Sequence, residues 1–529
     1  MNIEKSKSDA EAVGIAKIDS TAGESVRTGE VKPKVHFNLL TTFGVQFSVT
    51  ATPLALGTYT SLTIGVGGSA GYFWGFIFVG VFQLITCLAV AEVASAIPHS
   101  SGPAHWVIIL APKRYSRLLG YIMGWVTNCA WFCICCSSNL YMAQLILAIV
   151  QANHSDYIAT AWHTYLVYVA SAFLTLGINL PRLFKSLNAL LAAGIFLING
   201  TSLYLLIGLL VRAQPKQSAH DVFLKFINET GWKSNGTVFF IGLLPGMASL
   251  AAFDNATHLT DEVERPTKQI PQVLIGSFLL SFLTGLPMIM VYQFCNVDPL
   301  SLLTPVGGQP IVQLMINAFR SDAMSIIGTS LTLSCLFIAE SSCLLSWSRL
   351  YWSFSREGAL PFSRTMAKLE PIDSLPLNTL LWNTFLIIAL GAISVGSQTA
   401  MNAFLGSAGI LTISSLVTTF GLVIYRGSHS LNPERWFNLG RFSTPIMWIS
   451  CLWSVFISVW LCMPLYVPVT PESMNYTSVV FVGFIALSGI YWVLAYSREG
   501  VMQHYHEGQD SQRTHNAPVI TKAMDEESA

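Results

Sequence analysis

Apolar residues fill the chain in runs about 20 residues long, and short polar segments separate these runs. A helix needs roughly 20 mostly apolar residues to cross the hydrocarbon core of a bilayer. The pattern therefore predicts an all-α membrane protein with about twelve spans, of which the third and the eighth are long. The predicted spans cover residues 38–64, 72–97, 118–150, 162–181, 187–211, 237–260, 271–295, 311–347, 377–396, 400–425, 444–465 and 478–497.

Two of these runs contain residues that interrupt a helix. The first has Pro53 at the end of the polar, β-branched stretch 48–53, and the sixth has Pro245 and Gly246 ahead of several small residues. Proline removes a helix hydrogen bond, and inside a bilayer protein or water must satisfy the freed backbone groups. The interruptions lie five spans apart, at matching positions of two halves with opposite orientation. Such a pair indicates a solute site near the midplane; the alternative is the general abundance of proline and glycine in membrane helices.

Composition supports a chain that is solvated by lipid. Hydrophobic residues make up 52% and charged residues 11%, against about 25% charged residues in soluble domains. The net charge is zero, so no nucleic-acid partner is expected. The ten cysteines lie mostly within apolar runs, which favours small buried side chains over metal ligands. Residues 1–35 and 501–529 are polar and predict disordered cytosolic tails around a transport domain at 36–500.

Basic residues predict the orientation, because Lys and Arg concentrate on the cytoplasmic side. With both termini in the cytosol, all 28 Lys and Arg residues lie inside except for Arg212, Lys216, Lys225, Lys233 and Arg320. The same topology places four Asn-x-Ser/Thr glycosylation motifs outside. These candidate acceptors are Asn153, Asn228, Asn235 and Asn475.

Three segments carry a family resemblance. They are residues 91–106 (AEVASAIPHSSGPAHW), 253–271 (FDNATHLTDEVERPTKQIP) and 348–361 (SRLYWSFSREGALP). In order and position they resemble the amino acid–polyamine–organocation superfamily, and within it the fungal amino-acid, choline and GABA permeases. The resemblance implies a LeuT-like fold of two inverted five-helix repeats, with discontinuous helices 1 and 6 and two additional helices. It also implies secondary transport, usually coupled to protons, of a solute held between helices 1, 3, 6 and 8.

Candidate solute contacts lie at the two interruptions and on the third span. Hydroxyl and backbone N–H groups at the interruptions would bind a carboxylate, although Ser48 and Thr50 have the alternative of bonding to carbonyls of their own helix. On the third span Trp131, or alternatively Trp125, would cover an ammonium group, unless these rings face lipid. The candidates are Ser48, Val49, Thr50, Ala51, Asn128, Trp131, Gly246, Met247, Ala248 and Ser249.

Charged residues within or near the spans are candidates for coupling or gating. Asp254 and Glu340 are expected within the membrane, where a carboxylate is costly and usually functional. Asp254 matches an acidic position of the family, whereas Glu340 matches no motif and has a structural alternative. Glu92 is expected to hold an inner loop, through Arg349 or Arg356.

The chain departs from the family at two points that affect the solute. Ala248 stands where the relatives usually place a bulky side chain, and the first span lacks a tryptophan near Pro53. Both changes would enlarge the pocket, which predicts a bulkier solute than that of most relatives.

The expected function is a permease for amino acids or related amines, in the plasma membrane or else the vacuolar membrane. Its partners would be the solute, a proton and the lipid bilayer, with no cofactor. Choline is the main alternative solute, and a transporter-derived nutrient sensor is the alternative function. An enzyme is not expected, because His99, His105 and His258 are scattered along the chain.

Overall fold

The computed structural model describes residues 33–496 except 155, 252, 253, 372 and 472. The predicted tails over 1–35 and 501–529 thus lie outside the described residues, apart from residues 33–35. The described chain is helical, and its nineteen α-helices are α1 (Leu39–Thr50), α2 (Thr52–Thr58), α3 (Gly68–Ala96), α4 (Pro103–Leu110), α5 (Lys113–Asn153), α6 (Ala161–Asn179), α7 (Phe184–Arg212), α8 (Ala219–Phe223), α9 (Asn235–Ile241), α10 (Leu244–Ser249), α11 (Pro266–Phe294), α12 (Pro310–Phe319), α13 (Asp322–Ser355), α14 (Ser363–Met366), α15 (Leu377–Gly391), α16 (Ile393–Gly396), α17 (Gln398–Arg426), α18 (Ser443–Leu461) and α19 (Thr477–Tyr491).

Eleven helical segments in the described part of the chain are long and apolar enough to cross a membrane. The twelfth predicted span, the sixth in order, is divided into α9, α10 and the 3-10 helix Asn255–Glu262. In chain order the spans are therefore α1 with α2, α3, α5, α6, α7, the divided sixth span, α11, α13, α15 with α16, α17, α18 and α19. About twelve spans were predicted, and this prediction is confirmed.

Burial in the last span is the reverse of that in a water-soluble protein. The buried residues of α19 are Thr477 and Ser488, whereas Val479, Val482 and Leu487 are at least half exposed. Apolar side chains that point outward are stable when the surrounding solvent is hydrocarbon. The fold therefore fits a multi-pass membrane protein.

The first span is interrupted at Ala51, within the predicted stretch 48–53. Ala51 ends α1 with a left-handed backbone (φ 36°, ψ 38°), and α2 begins at Thr52 with Pro53 in its first turn. Proline is favourable there because its missing N–H is not needed in the first turn of a helix. The interruption lies beside spans five, seven and eight, against which α1 packs.

The sixth span is interrupted at a different place from the one predicted. Pro245 and Gly246 are helical, since Pro245 lies in the first turn of α10. The helix ends after Ser249, and residues 250–251 are not helical before the 3-10 segment begins at Asn255. The prediction was wrong because proline starts a helix as readily as it ends one.

The predicted eighth span at 311–347 was also wrong in its bounds. The structure has a short helix, α12, which ends at the left-handed Arg320, and a separate span, α13, from Asp322 to Ser355. The charged pair Arg320 and Asp322 favours a boundary at the membrane surface over a continuous helix.

Span one approaches span five so closely that only glycine fits at the crossing. A Cβ atom built on Gly44 would overlap the carbonyl oxygen of Leu191. Small residues at such crossings let membrane helices pack backbone against backbone.

We expect Gly44→Ala to destabilise the fold by about 1–3 kcal/mol, because the backbones must separate. Thermal unfolding of detergent-purified protein measures the effect. The control is Gly200→Ala on α7, where an added Cβ meets no described atom within 4 Å. Equal unfolding midpoints for both variants would contradict the close approach.

Candidate functional site

The two interrupted spans are joined by hydrogen bonds on both sides of their interruptions. The Thr52 hydroxyl donates to the Ser249 carbonyl at 2.6 Å, and the Ala256 amide donates to the Gln46 side chain at 2.8 Å. The Asn255 amide group donates to the Val45 carbonyl at 3.3 Å. Backbone groups that leave a helix inside a membrane need such partners. These contacts hold the interruptions side by side.

Trp131 of span three completes this junction. Its indole Nε1–H donates to Asp254 Oδ2 at 3.3 Å, and its ring meets the His258 ring edge to face at 5.5 Å. All three side chains are at most 2% exposed. Asp254 Oδ1 is buried and has no hydrogen-bond partner among the described residues. The result is a buried carboxylate with one unused oxygen, directly after the interruption of span six.

The predicted solute contacts of span one lie at the junction, but their side chains have different neighbours. The Thr50 hydroxyl donates to the Phe47 carbonyl at 3.0 Å and lies 3.1 Å from Ser281 Oγ. The alternative of a bond within its own helix therefore applies to Thr50. Ser48 Oγ is buried without a described partner, and Val49 packs against the apolar cluster that contains Trp131.

The four predicted solute contacts of span six differ in burial and in the direction that they face. Gly246 faces span two, because a Cβ there would lie 3.3 Å from Val79. Met247 and Ser249 are buried, and the Ser249 hydroxyl donates to the Pro245 carbonyl at 2.7 Å. Ala248 is the exposed member of the set.

On span three, Trp131 lies at the junction and Trp125 does not. The Trp125 indole donates to the Ala359 carbonyl at 3.1 Å, beyond the end of span eight. Asn128 donates to the Gly124 carbonyl of its own helix at 2.8 Å, whereas its Oδ1 is buried without a described partner. The structure thus brings one of the two candidate indoles to the site.

Glu340 of span eight is fully buried, and neither of its carboxyl oxygens has a hydrogen-bond partner among the described residues. Ser138 and Cys135 of span three lie beside it, as does Cys343 of its own helix. An unpaired charge in such surroundings is costly. Glu340 is therefore the least compensated carboxyl group of the described spans, next to the cluster that Val49 and Trp131 share.

A small cavity with polar and apolar lining residues lies between spans one, six and seven. Its volume is about 10 Å³, which is close to the minimum for one water molecule. The cavity borders the interruptions but has no room for an amino acid, so the junction is closed in this conformation. Its lining residues include Gln46, Thr50, Ala251, Ser277 and Ser281.

The larger pocket, about 270 Å³, lies elsewhere. It is formed at the far end of span three by uncharged side chains, where Gln309 donates to Gln144 at 2.6 Å and the Gly307 amide to Gln151 at 2.6 Å. None of the predicted solute contacts lines it.

At the base of the bundle, defined as the end where span one begins near Phe37, the spans are closed by ion pairs. Arg349 Nε lies 3.0 Å from Glu262 Oε1, and both side chains are at most 4% exposed. Arg356 pairs with Asp261 at 3.3 Å in a more exposed position. The amides of His36 and Phe37 donate to the Glu262 carbonyl at 3.0 and 3.1 Å. The start of span one is thus fastened to the ends of spans six and eight.

Titratable groups of the connecting segments at the base are strongly affected by burial. The rings of His99 and His105 stack at 3.7 Å. Burial, assisted by the charge of Arg356, lowers the pKa of His99 to about 3, and burial lowers that of His105 well below its usual range. Burial raises the pKa of Glu357 to about 8, against the opposing effect of Arg356. Both imidazoles are therefore neutral near pH 7.

Glu92 has a different partner from those predicted. Its Oε1 accepts from Arg435 at 2.8 Å and from the Leu439 amide at 3.1 Å, and its Oε2 accepts from Ser443 at 2.7 Å. The residues predicted as partners, Arg349 and Arg356, bind the acidic end of span six instead. The sequence did not indicate that the segment after span ten packs against span two, because Glu92 and Arg435 are 343 positions apart.

Two glycosylation candidates lie at helix ends, since Asn153 is the last residue of α5 and Asn235 is the first residue of α9. Asn228 and Asn475 lie in the connections between spans five and six and between spans eleven and twelve. Asn153 and Asn235 are exposed, whereas Asn228 and Asn475 are partly buried. The Asn228 amide donates to the Trp232 carbonyl, and that of Asn475 to two carbonyls after span eleven. Glycosylation stays a prediction for all four.

Sequence reasoning missed Gln46 and His258. Gln46 is a lone amide in an apolar span one turn before the interruption, and such a residue is expected to need a partner. His258 was counted among the scattered histidines, although its spacing of four residues from Asp254 would place both on one face of a regular helix.

Buried polar groups between paired interrupted membrane spans are typical of secondary transporters. The amino acid permease family model matches residues 37–485, so the chain belongs to that family. It is a secondary transporter of amino acids or related amines, and the resemblance noted in the sequence is confirmed.

Relatives along nearly the whole chain agree with this assignment. The choline transporter of Saccharomyces cerevisiae is 27% identical over 500 residues, or 94% of this chain and 88% of the relative. The swainsonine transporter swnT of Arthroderma benhamiae is 28% identical over 519 residues, with 96% and 99% covered. The amino-acid permease BAT1 of Arabidopsis thaliana is 26% identical over 483 residues, with 87% and 92% covered.

We expect Arg435→Ala to lower the free energy of unfolding by about 3–5 kcal/mol, because it leaves the buried Glu92 carboxylate without its cation. The unfolding midpoint in detergent measures this effect. Arg441→Ala, an exposed arginine nearby, is the control. If the two variants unfolded at the same temperature, the ion pair would not hold this segment.

Proposed function

We propose that the chain imports a solute with a positively charged amino group, driven by protons, through a site between spans one, three, six and eight. The base of the bundle faces the cytosol, both termini are cytosolic, and the protein lies in the plasma membrane. Spans one to five and six to ten form two inverted repeats. The observation that carries the proposal is the Trp131–Asp254 pair at the junction of the two interrupted spans.

The unused oxygen of Asp254 supports an amino group as the part of the solute that binds here. A buried carboxylate oxygen without a partner is a strong acceptor for a charged N–H donor. The nearby Trp131 ring adds an electrostatic preference for a cation. The carboxylate of an amino acid would bind backbone and hydroxyl groups near Ser48, whose Oγ is buried without a described partner.

Choline is the second candidate solute. It is favoured by Trp131, because aromatic faces recognise quaternary ammonium groups, and by the similarity to the choline transporter of Saccharomyces cerevisiae. A quaternary nitrogen carries no N–H, however, so only the hydroxyl group of choline, separate from its charge, could donate to the free Asp254 oxygen. The amino group is therefore the better fit.

Transport requires the base to open, since the junction is closed and its cavity is the size of one water. The buried pair of Arg349 with Glu262 and the surface pair of Arg356 with Asp261 would separate in the inward-open state. Arg349 therefore acts in gating, whereas Glu92 holds the connection between spans ten and eleven. Asp254 and Glu340 are the intramembrane carboxyl groups that would carry protons.

In cells without their own permeases, the chain should accumulate one solute from a labelled panel of choline, GABA and basic, neutral and aromatic amino acids. A protonophore should abolish this accumulation, because the proton gradient supplies the energy. Accumulation that is insensitive to the protonophore would exclude proton coupling. No accumulation despite surface expression would favour the sensor.

Ala248 is exposed and lines neither of the described cavities, so an enlarged pocket requires that this side chain face the solute when the junction opens. Ala248→Trp should then reduce uptake of the transported solute to background, because the indole would obstruct the solute's path. Ala248→Ser is the control and should retain uptake. Unchanged uptake by Ala248→Trp at equal expression would contradict the enlarged pocket.

A further inference from the structure

His258 and Asp254 form a buried pair in which each hydrogen bond restricts where a proton can be. His258 Nε2 lies 3.3 Å from Asp254 Oδ2, and His258 Nδ1 lies 3.0 Å from the Ser100 carbonyl oxygen. The His258 side chain is fully buried, and Asp254 is 2% exposed. Trp131 donates to the same Asp254 oxygen.

The Ser100 carbonyl determines the state of the imidazole. A carbonyl oxygen only accepts hydrogen bonds, so Nδ1 carries hydrogen. In a neutral ring Nε2 then presents a lone pair to Asp254. An ionised carboxylate also presents only lone pairs, and two acceptors cannot form a hydrogen bond with each other. The contact therefore needs a proton between Nε2 and Oδ2. Imidazole with carboxylic acid and imidazolium with carboxylate both satisfy this requirement, and both have zero net charge, which lowers the cost of burial.

We infer that Asp254 and His258 together hold one proton in this closed conformation, and that this shared proton is the one coupled to solute movement. The inference rests on the proposed proton-driven transport. The proton belongs to the pair rather than to either residue. His258 is thus a positioning and proton-sharing residue for Asp254.

The pair is connected to the closed base through Ser100. The Ser100 hydroxyl accepts from the Asp261 amide at 3.0 Å, and Asp261 pairs with Arg356. Gly102 follows in the same turn with a positive φ (52°), a backbone conformation that favours glycine. Opening the base would move Ser100 away from His258. The Nδ1 hydrogen would then lose its acceptor, the constraint on the ring would end, and the shared proton would be free to leave toward the cytosol.

Other titratable groups lie on the elements around this pair. α1 contributes none, and Lys268 of span seven lies instead over the Trp436 ring at 5.8 Å. The remaining groups, on the segment after span two, on the end of span six and on span eight, are His99, His105, Asp261, Glu262, Glu340, Arg349 and Arg356.

The transport test uses the full chain in proteoliposomes, with the solute that the wild type accumulates from the panel above. A gradient of one pH unit is worth about 1.4 kcal/mol per proton, so one coupled proton should give about tenfold accumulation. We expect His258→Gln and Asp254→Asn to lose this accumulation. His258→Gln should retain solute counterflow, which needs the site but no proton gradient. His163→Gln, at the far end of the bundle, should behave as wild type. Full proton-driven accumulation by His258→Gln would overturn the inference.

A second measurement determines the protonation of the His258 ring independently of any transport assay. Nitrogen-15 solid-state NMR of histidine-labelled protein in bilayers reports which ring nitrogen is protonated, and the His258→Gln spectrum identifies the signal among the 11 histidines. We expect a protonated Nδ1 and an Nε2 signal that shifts in Asp254→Asn. A bare Nδ1 would overturn the shared proton. Protonophore-insensitive uptake by the wild type, together with the expected NMR signal, would refute proton coupling alone.

Discussion

The constraint on which this structure depends is that backbone groups inside a bilayer must find hydrogen-bond partners within the protein. Two spans leave the helical path between their ends, and each provides hydrogen-bond partners for the other. Thr52 binds the end of α10, and Gln46 and Val45 bind the start of the following 3-10 segment. These hydrogen bonds stabilise both interruptions. The interruption of span six in turn places Asp254 beside Trp131.

The buried carboxyl groups of the bundle fall into two classes, those with an arginine partner and those without one. Glu92 and Glu262 each have an arginine within 3.0 Å, and Glu92 also accepts from an amide and a hydroxyl. In this closed conformation an arginine therefore compensates each of these two carboxylates. Among the described residues no ion pair joins Asp254 or Glu340 to an arginine or lysine, and Asp254 has a histidine beside it instead. A carboxyl group without a permanent cation is able to exchange protons or bind a cationic solute, which is what a carrier must do.

The ion pairs at the base and the polar junction lie on the same part of span six. Glu262, Asp261 and the Ser100 turn converge on the last turn of span six, directly below Asp254. The ion pairs with span eight therefore bind the same short segment that carries Asp254 and His258.

The sequence by itself determined the number and order of the spans, the interruption of span one and the family, because these depend on local composition and on motifs. It also placed Asp254 and Trp131 among the site residues. It misplaced the interruption of span six, because Pro245 starts α10, and it joined α12 to α13. Only the tertiary structure decided that Glu92 binds Arg435, that Trp125 lies away from the junction, and that His258 and Ser100 hold Asp254. These contacts link residues up to 343 positions apart, and local pattern carries no information about which distant polar groups will meet when the spans pack.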